Sequence, residues 1–357
     1  MRRRTLALLA LLLVAGLLGA CGTPAYYLQA AGGQLELLRV TRTLDDARND
    51  PDTPEALRDK LARAAAIRDF ASRELGLPEN GSYRKYADLR RPYVVWNVFA
   101  TDELSIEPHE WCFPVAGCVS YRGYFAQADA EAFADDLRRA GHDVYVAGIA
   151  AYSTLGWFDD PLVNTFMHYP DTELARLIFH ELAHQVVYAG GDSEFNESFA
   201  MTVETAGVRH WLARNGSRTQ REEFEAAQRR REDFAALVLK YRDALGRAYE
   251  SGDTADDKRK AKIRLLGELG DEYRRLRDGA WGGYAGYDRW FGQEINNAVL
   301  ASIGLYHQRV PTFEALLAAE GDDLPRFYAR VGELARLSRP AREAELGRLV
   351  PSLAASR

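Results

Sequence analysis

Leu174-Ala-Arg-Leu-Ile-Phe-His180-Glu-Leu-Ala-His184, then Gly190-Gly191, then Asp192-Ser-Glu-Phe-Asn-Glu197-Ser-Phe-Ala200 is the stretch that decides the fold. Leu174, Leu177 and Ile178 form the apolar face of a helix, and Gly190-Gly191 is expected to stop it. Histidines four residues apart share one helix face, one turn removed. Neutral imidazoles are zinc ligands, and a carboxylate beside a zinc-bound water takes its proton as the metal lowers the water's pKa toward ~7. His180 and His184 are therefore read as ligands and Glu181 as the general base. A third ligand must come from elsewhere, and Asp192 or Ser193 is placed to cap a second helix running through Glu204 to about Arg214. Glu197, one turn into that helix, folds back toward the first and is preferred to Glu204 as third ligand. Glu204, two turns on, is read as the partner that orients a ligand histidine.

Outward from this segment the chain is expected to be α+β and predominantly helical, without internal repeats or low-complexity linkers. Gln29 to about Leu75 has helical spacing, broken at Asn49-Asp-Pro-Asp-Thr53 into a hairpin. Tyr93–Phe99, Cys118–Phe125 and His142–Tyr152 read as strands, with a helix at about Ala128–Ala140 between the last two. From Asp171 onward the pattern is helical, and the charged section Gln220–Arg277 reads as a solvated helical pair broken near Ser251-Gly-Asp-Thr254, with no function assigned. Residues 21–357 are taken as one domain.

The composition, 47% hydrophobic and 27% charged, is that of a globular protein. Forty-six Lys+Arg are dispersed among 52 Asp+Glu for a net charge of -6, which makes nucleic acid a poor partner. Arg2, Arg3 and Arg4 precede an apolar run from Leu6 to Leu18, too short for a bilayer that needs roughly 20 residues. With Leu18-Gly19-Ala20-Cys21 this resembles a bacterial lipoprotein signal: residues 1–20 are removed and Cys21 carries the lipid. The other reading is an uncleaved anchor. Cleavage removes three arginines and no acid, taking the net charge from -6 to -9. The lipid is then the sole membrane anchor, on the outer membrane facing the periplasm where a cell has two membranes. Export makes the remaining cysteines, Cys112 and Cys118, a disulfide pair. So short a loop gives roughly 2 kcal/mol, and Pro114 and Gly117 suit the turn.

His180-Glu-Leu-Ala-His184 followed by Asn196-Glu-Ser-Phe-Ala200 resembles the glutamate zincins, whose ligands are two histidines and the glutamate of an Asn-Glu-x-x-Ala-like segment. Residue by residue, that makes His180, His184 and Glu197 the ligands and Glu181 the base. Together with the lipoprotein signal, Tyr26-Tyr-Leu-Gln-Ala-Ala and Trp111-Cys-Phe-Pro-Val-Ala-Gly-Cys118 running into Tyr121-Arg-Gly-Tyr-Phe125, the chain resembles the bacterial family of putative aminopeptidases over nearly its whole mature length. The resemblance implies a zincin-like fold, a Zn2+ cofactor and a peptide substrate. Its exopeptidase name comes from the resemblance alone, because no Gly-x-Met-Glu-Asn motif and no amine-binding carboxylates are identified. Tyr306, or His307 in its place, is the candidate oxyanion donor late in the chain, set against the commoner role of a tyrosine that simply packs its ring. Val144–Thr154 is either the sheet edge that pairs with an extended peptide or a buried strand without a free edge. Two other classes stay open: a zinc endopeptidase or peptidoglycan-peptide hydrolase of the envelope, and a non-enzymatic lipoprotein stabilised by zinc.

Overall fold

The computed structural model describes residues 24–113, 117–151 and 153–354; the leader, Cys21 and Pro114 lie outside the described residues. In chain order its first elements are α1 (Pro24–Val40), β1 (Thr41–Thr43), α2 (Leu44–Asn49), α3 (Glu55–Leu75), β2 (Lys85–Ala87) and β3 (Val95–Thr101). Next come β4 (Trp111–Phe113), β5 (Gly117–Val119), β6 (Arg122–Tyr124), α4 (Gln127–Arg139), β7 (Asp143–Ile149) and β8 (Leu162–Val163). The rest is helical: α5 (Asp171–Ala183), α6 (Ser193–Asn215), α7 (Arg218–Glu250), α8 (Ala255–Asp278), α9 (Asp288–Phe291), α10 (Asn297–His307), α11 (Val310–Ala319), α12 (Leu324–Ala335) and α13 (Arg339–Ala354). The protein is thus α+β with a helical majority.

The N-terminal helical hairpin is interrupted. Thr41 and Thr43, β-branched and suited to extended backbone, form a strand that pairs antiparallel with β2, which in turn runs parallel to β8. Thr43 then caps α2 by accepting from the Asp46 N–H. The expected strand Cys118–Phe125 is two strands in two sheets. β5 pairs with β4, where Cys112 and Cys118 are direct cross-strand partners joined by the disulfide. After Ser120-Tyr121 the chain turns so that β6 pairs with β3.

The central sheet has the order β6-β3-β7 and is antiparallel throughout. Alternation along β3 sends Trp96, Val98 and Ala100 to one face, against Ala130 and Ala134 of α4. Val95, Asn97 and Phe99 take the other face, where Phe99 meets Ala298 and Leu305 of α10. All seven residues of β3 are buried because both faces are covered. Gln29 of α1 lies along β6: its amide donates to Gly123 O and accepts from Phe125 N–H. Among the described residues β7 pairs on one side only and forms the opposite edge.

The largest apolar cluster joins α3, α5, α6, α11 and α12, with Phe179, Phe195, Phe199, Phe313 and Phe327 fully buried. α5 and α6 cross closely because Gly207 has no side chain. A Cβ there would lie 2.7 Å from the Phe179 ring and 2.9 Å from Leu75 Cδ1. Gly207→Ala therefore trades a helix-propensity gain of ~0.8–1 kcal/mol against overpacking of about 1–3 kcal/mol. Urea unfolding is expected to show a net loss of about 1 kcal/mol; a more stable variant would mean that the two helices separate without cost.

The charged section Gln220–Arg277 is the pair α7–α8, broken at Ser251–Thr254. Ser217 and Gln220 close a capping box at the first helix and Thr254 caps the second. Their facing sides make a separate apolar cluster around Val238, Leu245, Leu269 and Tyr273. Among the described residues no helix is long and apolar enough to cross a membrane.

Candidate functional site

α5 ends at Ala183, earlier than the Gly-Gly pair suggested. The chain past it tightens into turns through Gln185 N–H to Leu182 O and Val186 N–H to Ala183 O. His184 occupies the position just beyond the last helical residue and keeps its place one turn from His180. The reversal falls at Gly191, whose φ of +76° is open to glycine at no steric cost. Asp192 then caps α6 by accepting from the Phe195 N–H.

Asn196 fixes the return of the chain. Its side chain accepts from Ala189 N–H at 2.7 Å and donates to Ala189 O at 2.9 Å, fully buried. That two-point contact sets the first turn of α6 against the end of the loop and aims the next residue, Glu197, at the histidines. His180 Nε2 lies 3.2 Å from His184 Nε2 and 3.2 Å from Glu197 Oε2, and His184 Nε2 lies 3.7 Å from that same oxygen. Three donors of the kind a divalent transition ion takes thus face a common point.

Glu204 reaches the other nitrogen of His180, with Nδ1–H donating to Oε2 at 2.8 Å. Its second oxygen accepts from Arg176 Nε at 2.8 Å, so an Arg–Glu–His chain centred on the buried Glu204 fixes the ring and leaves Nε2 turned to the cluster. His184 Nδ1 is buried without a hydrogen-bond partner among the described residues.

Electrostatics bind this group together. Burial opposes charge on His180, but the hydrogen bonds and charges of Glu197 and Glu204 prevail and raise its pKa well above the ordinary range. Burial likewise pushes Glu197 up, yet the charge of His184 and the hydrogen bond to His180 bring it down to about 2. Glu181 goes the other way: burial raises it, and the two histidines offset only part of that.

The cluster lies in a cavity of about 420 Å3, within the range of small-ligand sites. Its walls come from the site-facing residues of the sheet, Asn97, Gly123 and Ile149, and from Tyr26 and Ala30 of α1. Tyr306 lines it, as do Tyr121 and Tyr188. Burial first, and then nearby Glu197, hold the phenols of Tyr306 and Tyr121 far above their usual pKa, which leaves them hydrogen-bond donors. His307 does not line this cavity; it borders an adjoining one with Arg176 and Glu204, and burial pushes it down to about 4. The roles of Asn196, Tyr121 and Tyr188 are not assigned by the sequence reading, although Tyr188 follows His184 at a spacing of four.

Fold and site together define a mainly helical α+β protein with a buried His–His–Glu cluster opening on a cavity beside an acid. The chain belongs to the family described as putative aminopeptidase, whose model matches residues 25–346. No curated protein and no solved structure matches it.

Proposed function

We propose that the protein is a zinc-dependent peptidase of the glutamate-zincin type, with His180, His184 and Glu197 as metal ligands and Glu181 as general base. The observation that carries this reading is the spacing of the three donor atoms. A tetrahedral ion with bonds of about 2.0–2.2 Å sets its ligand atoms roughly 3.3–3.6 Å apart, and the three separations here are 3.2, 3.2 and 3.7 Å. Two imidazole nitrogens directed at each other and at a carboxylate call for a cation between them. Zinc bound there would supply Lewis acidity toward a peptide carbonyl and make water acidic enough to attack near neutral pH.

The chain's own groups do the rest. Glu181, its pKa raised by burial, accepts a proton at its carboxylate and returns it to the leaving amine. Tyr306, with Tyr121 beside it, offers a phenol to the charge that develops on the carbonyl oxygen. Ile149, the last residue of β7, lines the cavity, as do Ala151 and Ser153 just past it, so this edge strand ends at the site and serves as the rail for a peptide. Glu204 holds His180 in the ligating tautomer. Glu204→Gln is expected to weaken zinc retention by about 10–100-fold, read by equilibrium dialysis; unchanged retention would remove that role.

The lipid at Cys21 and attachment to the outer membrane are part of the same proposal and rest on the leader sequence. α1 starts three residues after Cys21, and its Tyr26 lines the cavity, which would set the site close to the anchor. Cleavage of free amino termini follows the family description. Internal cleavage is the second reading, favoured by one observation: among the described residues lining the cavity, Glu181 and Glu197 are the only acids, leaving no third carboxylate for an α-amine. The test is mass-spectrometric mapping of a mixed peptide library incubated with the zinc-loaded chain starting at Cys21. Stepwise loss of amino-terminal residues supports an aminopeptidase and internal cuts an endopeptidase. No cutting of peptides or of peptidoglycan stem peptides would overturn the peptidase reading in favour of a zinc-stabilised lipoprotein.

A further inference from the structure

Outside the motif, two more of the seven histidines converge on one carboxylate at the far end of the central sheet. The register brings them there. Thr101 ends β3 and pairs with Asp143, the first residue of β7, so Asp102 and His142 are the next residues on adjoining strands. The chain then loops out and returns: Pro108 bridges to Thr101 and His109 N–H donates to Ala100 O at 2.8 Å, on the side of β3 away from β7. Asp102 is thereby flanked by both rings. Its Oδ1 lies 2.9 Å from His109 Nε2 and 3.1 Å from His142 Nδ1, and the ring centroids are 4.6 Å apart.

We propose that Asp102, His109 and His142 form a second metal site, for Zn2+ or a similar divalent transition ion. Two imidazoles and a carboxylate are the donor set such ions take, and the three donor atoms lie within 4.8 Å of one another. Side chains a quarter to a third exposed on the histidines, and more on Asp102, leave the remaining coordination to water. The site is apart from the catalytic cluster: Asn97 lines the cavity, and Asp102 is five residues further along the strand, roughly 16 Å at the rise of extended chain.

Its role is that of a staple. The loop between Asp102 and His109 straps the α7–α8 pair to the sheet. Glu103 takes Arg259 through two bonds of 2.8 and 2.9 Å, and its carbonyl accepts from Lys262 and from Asn297. Leu104 and Ile106 pack into the apolar cluster of the pair. A metal on Asp102 and His109 closes that loop at its base, and His142 ties the base to β7, which lowers the entropy of a local opening.

The test titrates zinc, at micromolar concentration, into chelator-stripped chain starting at Cys21. The His180→Ala/His184→Ala variant should bind one equivalent and melt at a higher temperature with zinc than without. Adding His109→Ala/His142→Ala should remove both effects, whereas adding His168→Ala/His210→Ala should remove neither. Should the motif variant fail to fold, the comparison moves to the otherwise unaltered chain, where His109→Ala/His142→Ala should lose one equivalent and keep peptide cleavage. Uptake that is the same with and without His109 and His142 overturns the staple and leaves the motif untouched. A motif variant that still binds two equivalents, one of them lost with His109 and His142, would instead support the staple and count against the catalytic assignment.

Discussion

Glu181→Gln is expected to slow peptide cleavage by about 10²–10⁴-fold, the usual share of a positioned general base, while zinc content and melting temperature stay at wild-type values. Glutamine keeps the shape and the hydrogen-bonding reach of the side chain but accepts no proton. The three proposed ligand atoms belong to other residues, so metal retention should not follow the rate. Glu181 borders both the main cavity and the adjoining one, and its carboxyl is raised by burial against the pull of two histidines. That balance suits a group that must take up and release a proton within each turnover. The loss should therefore appear in kcat, with KM little changed. A purified, zinc-replete variant within about threefold of the wild-type rate would mean that another group carries the proton, and the assignment would fall.

The site's local half was legible because helical periodicity alone puts His180 and His184 one turn apart, and because Glu197 and Glu204 follow a short turn on the next helix. The strand core of β3 and the charged pair α7–α8 were legible for the same reason, since each is written in a window of neighbours. The rest depends on contacts that no window contains. Cys118–Phe125 reads as one strand by propensity, and only its partners β4 and β3 decide that it splits at Ser120-Tyr121 and so gives Tyr121 to the cavity. Thr41–Thr43 looks helical until β2, more than forty residues on, offers a ladder. Nothing near Asn196 reveals that its amide will grip the backbone of Ala189. Asp102, His109 and His142 are three unremarkable polar residues until the register sets two strand ends side by side. His307, one position from Tyr306, shows the limit from the other direction: sequence offers both, and the turn of α10 sends only Tyr306 into the main cavity.

Arg342→Ala is expected to cost about 3–5 kcal/mol, the range for removing one partner of a buried ion pair. Arg342 Nε donates to Asp192 Oδ2 at 2.9 Å, and both side chains are only 3% exposed. The same guanidinium donates to Ala335 O and Leu337 O and lies 4.9 Å from the centre of the Phe195 ring. Truncation would leave a carboxylate without its counter-charge, two carbonyls without a donor and a void against an aromatic ring, in a place that water reaches poorly. Asp192 is also the cap of α6, five residues before Glu197, so the damage should travel: zinc should be held less tightly even where the variant is folded. Urea unfolding gives the first quantity and equilibrium dialysis the second. Asp192→Asn/Arg342→Met, which removes both charges, should recover part of the stability because no buried charge is left unpaired. A loss below about 1 kcal/mol for Arg342→Ala would show that Asp192 finds another partner or water. A loss in the expected range with weaker zinc binding would make α13, 150 residues from the cap in sequence, part of the scaffold that aims Glu197.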